Sequence, residues 1–253
     1  MTDPRPRTVL ALTGTDRVAF LQGLVTNDVA RADGGIVYAA LLTPQGKFVA
    51  DFFVTGQPDR LLIDVATSHA ASLLQRLTLY RLRADVQIVA TDLTVSRGTG
   101  PAPDGALPDP RDPAMGWRHI GPTDLSDDTD WDALRTAHLV PETGIDLTPD
   151  TYILEAGFAR LHGVDFRKGC FVGQEIVARM KHKTTLRKGL VRVKLDGAAQ
   201  TGEAILSGER EAGTLHTVAG AHGIAYLRFD RGTDLRTTGG AALSVDARDL
   251  TAD

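Results

Sequence analysis

Arg167-Lys168-Gly169-Cys170-Phe171-Val172-Gly173-Gln174-Glu175 surrounds the only cysteine of a 253-residue chain. The run sets one thiol beside two basic residues and between two glycines, with an amide–acid pair behind it. That is poor material for a core and good material for a turn that faces a ligand. Gly169 and Gly173 permit positive φ or a close approach of backbone to a ligand. Arg167 and Lys168 favour the thiolate, the reactive form of cysteine. A helix beginning near Gly173 would aim its first N–H groups back at Cys170 and favour the thiolate further. A lone cysteine also serves as a small buried hydrophobe, but charged and glycine neighbours weigh towards function here. Cys170, supported by Lys168, is therefore the candidate catalytic thiol, and Gly169, Gly173, Gln174 and Glu175 are candidate binding positions. Glu175 reads equally well as a first-turn acid that complements a helix dipole.

Outward from this run, hydrophobic periodicity divides the chain. Before it, Val9–Leu12, Tyr38–Leu42 and Phe48–Val54 read as strands, the last two joined through Pro44-Gln45-Gly46. Leu61, Ile63 and Val65 mark a further strand, as do Val86 and Ile88. Phe20, Leu21, Leu24 and Val25 fall at helical spacing behind Thr15 or Asp16 as cap; Leu73, Leu74, Leu77 and Tyr80 do so behind Thr67 or Ser68. Strands alternating with helices in this way predict an α+β sheet with helices on one face. Five prolines and three glycines between 96 and 113 read as a surface loop or linker between subdomains. Trp131–Leu139 reads as a helix, and the stretch from Pro149 to about Leu161 as another short one. After Lys188 the pattern becomes short strands, Val191-Val193-Leu195, Gly213–Val218 and Ile224–Phe229, separated by Gly-rich turns, which predicts a small β-barrel or sandwich. The expected division is 1–185 and 186–253.

Composition bounds the function. Forty-two per cent hydrophobic and 24% charged residues are ordinary for a globular protein. A net charge of −4 argues against nucleic-acid binding by the chain as a whole. One cysteine excludes an internal disulfide and a cysteine metal cage, and the histidines show no metal spacing. No apolar run approaches the roughly 18–20 residues of a membrane span. A free thiol and no signal-peptide pattern lead to an expected bacterial cytoplasmic location. From 166 to 194 nine Lys or Arg residues face a single acid, Glu175. This is a solvated face, an attractor for an anionic ligand tail, or a weak RNA contact, the last disfavoured by the scarcity of interleaved aromatics. Glu155 stands alone in the apolar segment Ile153-Leu154-Glu155-Ala156-Gly157 and needs a partner, because an unpaired buried charge is costly. A salt bridge to Arg160 or a helix cap would supply one, as would a ligand with a two-donor edge.

The cysteine run resembles the K-G-C-[F/Y]-x-G-Q-E signature of the YgfZ-type folate-binding proteins, in the superfamily of the glycine-cleavage T-protein. Lys168, Gly169, Cys170, Gly173, Gln174 and Glu175 match its fixed positions, with Phe171 at the aromatic one. Phe20–Asp28, Leu41–Lys47 with Asp51, Asp109-Pro110-Arg111 with Gly116-Trp117-Arg118, and Leu154-Glu155-Ala156-Gly157 are similar to further blocks of that family, in its order. The resemblance implies two interleaved α+β subdomains with antiparallel sheets plus a C-terminal β-barrel, arranged as a ring with a central hole. Thr26-Asn27-Asp28 and Pro44–Lys47 would line that hole. It implies tetrahydrofolate or a one-carbon derivative as cofactor, with Glu155 accepting from the 2-amino group and ring N–H of the pterin. It further implies an accessory factor in iron–sulfur cluster assembly or repair, with iron–sulfur client or carrier proteins as partners and an indirect effect on cluster-dependent tRNA modification. The T-protein's Asp-Asp pair is reduced here to Asp51, and Lys47 replaces a glycine, which argues against the glycine-cleavage reaction itself. The alternative is a folate-dependent aminomethyl- or methyltransferase with Asp51 as base.

Overall fold

The computed structural model describes residues 5–183 and 185–250. Two compact units are present, one formed by the chain up to Thr129 together with Phe158–Ala178, the other by Asp130–Gly157 with the chain from Arg179 onward. The protein is α+β, with antiparallel sheets and a closed C-terminal barrel.

The first unit is built on strands β1 (Arg7–Thr13), β2 (Ile36–Leu42), β3 (Phe48–Gly56), β4 (Leu61–Ala66) and β5 (Gln87–Ala90), in the order β2-β3-β4-β1-β5. One face carries α1 (Arg17–Gln22) and α2 (Thr67–Arg81): Leu21, Ala70, Leu73 and Leu77 enter a core with Leu10, Leu12, Phe52, Ile63 and Val65. The predicted strands and helices are found here, with different helix starts. Asp16 precedes α1 without a side-chain cap bond and instead accepts from the Asp85 N–H at 2.9 Å. Ala66, not Thr67 or Ser68, precedes α2.

The proline-rich stretch is not simply a linker. Residues 99–105 are largely exposed, as the composition suggests, but β6 (Thr94–Gly98), β7 (Leu107–Pro108) and β8 (Trp117–Gly121) form a second sheet in the order β6-β8-β7. Leu93, Val95 and Ile120 from this region pack on Val9, Ala11 and Leu62, the opposite face of the first sheet. Every residue of β4 is consequently buried, Asp64 included. Arg7 Nε donates to Asp64 Oδ1 at 2.5 Å and Arg118 Nη2 to Oδ2 at 2.5 Å. Arg118 also reaches Asp109, which pairs with Arg111 at 2.8 Å, and Arg7, Arg111 and Arg118 all lie over the Phe53 ring. Burial raises the pKa of Asp64, but Arg118 and Arg7 outweigh it and hold the carboxyl below the usual carboxylate range.

In the second unit, β9 (Lys188–Asp196), β10 (Ala204–Ser207), β11 (Arg210–Ala219), β12 (His222–Arg228), β13 (Leu235–Thr237) and β14 (Ala242–Val245) close in the order β10-β11-β12-β9-β14-β13. The alternation read from sequence holds: Val191, Val193 and Leu195 point into the barrel with Ile205, Leu215, Leu227 and Leu235. Helix α3 (Trp131–His138) is tied to it by Arg135, which is fully buried. Its guanidinium donates to Asp146 at 2.8 Å and to Thr217 Oγ1 at 3.1 Å, and Thr217 Oγ1 donates to Asp146 at 2.8 Å. The short helix expected between Pro149 and Leu161 is absent. Successive tight turns stand there, with N–H groups reaching back three residues at Glu155, Ala156 and Gly157, and Gly157 at φ +76°.

Asp64→Asn removes the carboxylate that Arg7 and Arg118 share, and leaves Arg118 its longer contact to Asp109. The variant is expected to lose about 3–5 kcal/mol of stability in urea unfolding. A loss below about 1 kcal/mol, the range of an exposed pair, would contradict the assignment of Asp64 as the anchor of this cluster.

Candidate functional site

Helix α4 (Gln174–Lys183) begins one residue after Gly173, where the cysteine run predicts it. Gly173 has φ +84°, and a Cβ there would lie 2.7 Å from the Thr43 carbonyl oxygen. Gly46, at φ +75° in the β2–β3 turn, faces Ile176 so closely that a Cβ would come within 2.8 Å of it. The two glycines let the hairpin turn and the start of α4 pack backbone against backbone. Gly169 differs from its expectation: it has no positive φ, and nothing lies within 4 Å of where its Cβ would be.

Lys168 is buried, and its ammonium is spent inside the unit. Nζ donates to the carbonyls of Gln22 at 2.5 Å and Val25 at 2.7 Å, just past the C-terminal end of α1. Burial pushes its pKa down to about 8, against the pull of Asp28, Asp165 and Cys170. Cys170 is exposed. Gln174 is half-buried; Glu175 is exposed in the first turn of α4, opposite Lys181, His182 and Lys183 in the last, an arrangement that complements the helix dipole. The segment leading to the thiol is pinned as well. Thr26 Oγ1 donates to the Gly163 carbonyl at 2.7 Å, and Asn27 Nδ2 donates to the carbonyls of His162 and Tyr38, each at 2.7 Å. Thr26 and Asn27 are buried by this work.

Glu155 belongs to the second unit and is buried on the tight turns. The Tyr226 hydroxyl on β12 donates to Oε2 at 2.6 Å. Burial, then the carboxylate, raises the tyrosine pKa, so the phenol remains a neutral donor. The Glu155 carbonyl accepts from the Leu190 N–H at 2.9 Å, and a Cβ on Gly189 would stand 2.8 Å from that oxygen. Lys188 Nζ lies 5.2 Å from the centre of the Tyr226 ring. A carboxylate held by one phenol keeps lone pairs for further donors. Nothing in the sequence around Tyr226 marks it, because its partner lies 71 residues away.

Asp51, the acid of the transferase alternative, is buried in the first unit and accepts from the Tyr38 hydroxyl at 2.8 Å. Tyr38 stacks on Phe158 with ring centres 5.0 Å apart. Within the basic stretch, Lys168 is committed as above, and Arg192 is held by Asp249 at 2.8 Å. Among the described residues, no three His, Cys, Asp or Glu side chains converge as metal ligands.

Over 97% of its length the chain superposes on the crystal structure of glycine cleavage system aminomethyltransferase T from Bartonella henselae, covering 84% of that chain with a TM-score of 0.79. The fold is shared. At 16% identity the likeness extends no further than that. Residues 187–253 match the family described as CAF17, C-terminal beta-barrel domain. The chain is also similar to an iron–sulfur cluster assembly factor IBA57 homolog, mitochondrial, from Mycosarcoma maydis, 33% identical over 73% of this chain and 54% of that protein. It is similar to the mitochondrial iron–sulfur cluster assembly factor IBA57 of Homo sapiens, 31% identical over 74% of this chain and 64% of that protein, and to that of Mus musculus, 28% identical over 76% and 65%. The chain thus spans between about half and two thirds of the length of these relatives. They are named as mitochondrial proteins, which overturns the expected bacterial cytoplasmic location. The features behind that expectation, a free thiol and no signal-peptide pattern, do not separate one reducing compartment from another.

Two outcomes follow from this geometry. Lys168→Met strips the buried Val25 carbonyl and the partly buried Gln22 carbonyl of their donor and is expected to cost about 1–3 kcal/mol. An ammonium that loses its proton more readily in the fold than in the unfolded chain binds fewer protons there. Wild type therefore gains stability relative to Lys168→Met as pH rises from about 8 to the 10.5 of an ordinary lysine; denaturant melts across that range measure it, and a flat difference would refute it. Separately, Gly189→Ala is expected to push the Glu155 segment off β9, so that the Leu190 amide loses hydrogen-exchange protection while the barrel amides of Val191 and Val193 keep theirs.

Proposed function

We propose that this protein is a folate-binding accessory factor of the YgfZ type in iron–sulfur cluster assembly or repair. The observation that carries the reading is the similarity, at 28–33% identity over about three quarters of the chain, to proteins named as iron–sulfur cluster assembly factors. The donor set at Glu155 fits a pterin. It is a buried carboxylate whose partner on β12 is a neutral hydroxyl, so its charge is left for a ligand edge that presents two N–H donors. Glu155 would hold that edge, Tyr226 would keep the carboxylate oriented, and Gly189 would keep its backbone against β9. Tetrahydrofolate, when bound, supplies one-carbon or redox chemistry. Cys170 offers an exposed thiol on a pinned loop. Iron–sulfur clusters usually take about four thiolates, so one cysteine meets a cluster only in company with ligands from a client protein or a small thiol. An effect on tRNA modification would follow indirectly, through enzymes that depend on such clusters.

A second reading, a folate-dependent aminomethyl- or methyltransferase, is favoured by the shared aminomethyltransferase fold and by a buried Asp51 whose oxygen is 2.8 Å from the Tyr38 hydroxyl.

Titration calorimetry with tetrahydrofolate tests the cofactor. Wild type is expected to bind, with Glu155→Gln weaker by tenfold or more, roughly the cost of losing a charged hydrogen bond; equal affinities would remove Glu155 from the site. Complementation tests the pathway and the thiol. In cells lacking their own factor of this kind, wild type is expected to restore a cluster-dependent enzyme and Cys170→Ala to fail. Rescue by both would retain the assembly role and reduce Cys170 to a surface residue. Rescue by neither, from soluble protein, would turn attention to transferase assays with Asp51→Asn as control.

A further inference from the structure

The second unit holds a cavity of about 440 Å³ between α3 and the outer face of the barrel. Its size falls within the range of small-molecule sites. The floor is set by strand register. Lys194 on β9 lies opposite His222 on β12 and opposite Ser244 on β14, so an ammonium, an imidazole and a hydroxyl form one row across three neighbouring strands. Adjacent strands are about 4.8 Å apart, and the row therefore spans about 10 Å. Ala133 and Ala137 on α3 face this row, and their small side chains leave the space open.

The groups that line the cavity differ in how far they are committed. The Arg192 guanidinium is fixed by Asp249 at 2.8 Å and by the Ala137 carbonyl at 3.1 Å. Asp246, at the rim, pairs with Arg248 at 2.5 Å and with Arg192 at 3.4 Å. Among the described residues, neither Lys194 nor His222 is held by an ion pair or a side-chain hydrogen bond. Thr136 also lines the cavity; it is only 2% exposed, and among the described residues its hydroxyl has no hydrogen-bond partner. Buried polar atoms without partners are rare in native folds.

From this pattern we infer that the cavity between α3 and β9–β12–β14 is a binding site for a small organic monocarboxylate with an apolar body. The carboxylate would lie along the Lys194–His222–Ser244 row, and the body against Ala133 and Ala137, within reach of Thr136. One uncommitted ammonium matches one negative charge, whereas the Asp246 carboxylate at the rim disfavours a dianion such as a phosphate ester. The site is separate from Glu155 and does not rest on the folate reading.

2-Naphthoate and its neutral counterpart 2-naphthamide are suitable probes, titrated into the ¹⁵N-labelled full chain by NMR. Naphthoate is expected to give saturable shifts at the Thr136, Lys194 and His222 amides with Kd below about 1 mM, and naphthamide to bind at least roughly tenfold more weakly. Lys194→Met, a surface change, is expected to abolish the preference for the acid. Thr136→Val, nearly isosteric and without the buried hydroxyl, is expected to leave melting unchanged or raised and to leave naphthoate affinity unchanged or improved, because the apolar body meets that side chain. Saturating tetrahydrofolate should not displace naphthoate. The inference fails if acid and amide bind equally, if the acid preference survives in Lys194→Met, if these amides show no saturable shift, or if tetrahydrofolate competes.

Discussion

A side chain at position 173 would drive a carbon to within 2.7 Å of the Thr43 carbonyl, and one at position 46 would strike Ile176. The β2–β3 hairpin and the first turn of α4 touch only because both positions are glycine. The cysteine loop inherits its placement from that contact. Its far end is fixed at Gly173, its middle by the Lys168 ammonium on the Gln22 and Val25 carbonyls, and its beginning by Thr26 and Asn27 on residues 162 and 163. These ties leave Gly169 and Cys170 exposed, as are Phe166 and Arg167 before them. The thiol is presented by a loop whose ordering is already complete, so a partner that engages it does not have to supply that ordering.

Each unit also has a buried arginine at a junction that apolar packing alone would leave under-determined. In the first, Arg7 from β1 and Arg118 from β8 meet on the single carboxylate of Asp64 in β4, which fastens the small second sheet to the back of the main one. In the second, Arg135 of α3 and Thr217 of β11 meet on Asp146. Burial lowers the Arg135 pKa, yet Asp146 and Glu142 outweigh it and leave the guanidinium more firmly charged than usual. Such networks need not exceed an apolar substitute in stability. Their effect here is positional: a guanidinium fork accepts few geometries, and each of these joins segments distant in sequence.

Much of this was legible from the chain because it is local. Period-two runs gave the main sheet and the barrel, period-3.6 runs gave α2 and α3, and the glycine before Gln174 gave the start of α4. What escaped is non-local. Asp64 alternates with apolar residues and so looks like the solvent side of a strand, until a sheet made from the proline-rich stretch covers it. Thr67 and Ser68 have capping side chains, but Thr67 Oγ1 meets Thr8 and Ser68 Oγ meets His69. The turns around Glu155 carry helical residues and end in Gly157 after too few of them to propagate a helix. Tyr226 is invisible because a hydrogen bond across 71 residues leaves no spacing to read.

Lys168 shows how a residue read from its neighbours in sequence can be employed differently by the fold. Sequence suggests a cation placed to favour the neighbouring thiolate. The side chain is instead directed to two main-chain carbonyls, and burial draws its pKa to about 8. A charge that the fold itself holds weakly is a poor source of constant electrostatic support for a thiol, while a donor that pins two carbonyls is a good determinant of loop geometry. The lysine thus acts on Cys170 chiefly by fixing where residue 168 must be, and with it the two exposed residues that follow. The same division holds at Glu155, where Tyr226 meets one oxygen and Gly189 fixes the backbone without either neutralising the carboxylate. At both places the fold spends polar contacts on position: two carbonyls fix the residue before Gly169 and Cys170, and one phenol and a close backbone approach fix Glu155.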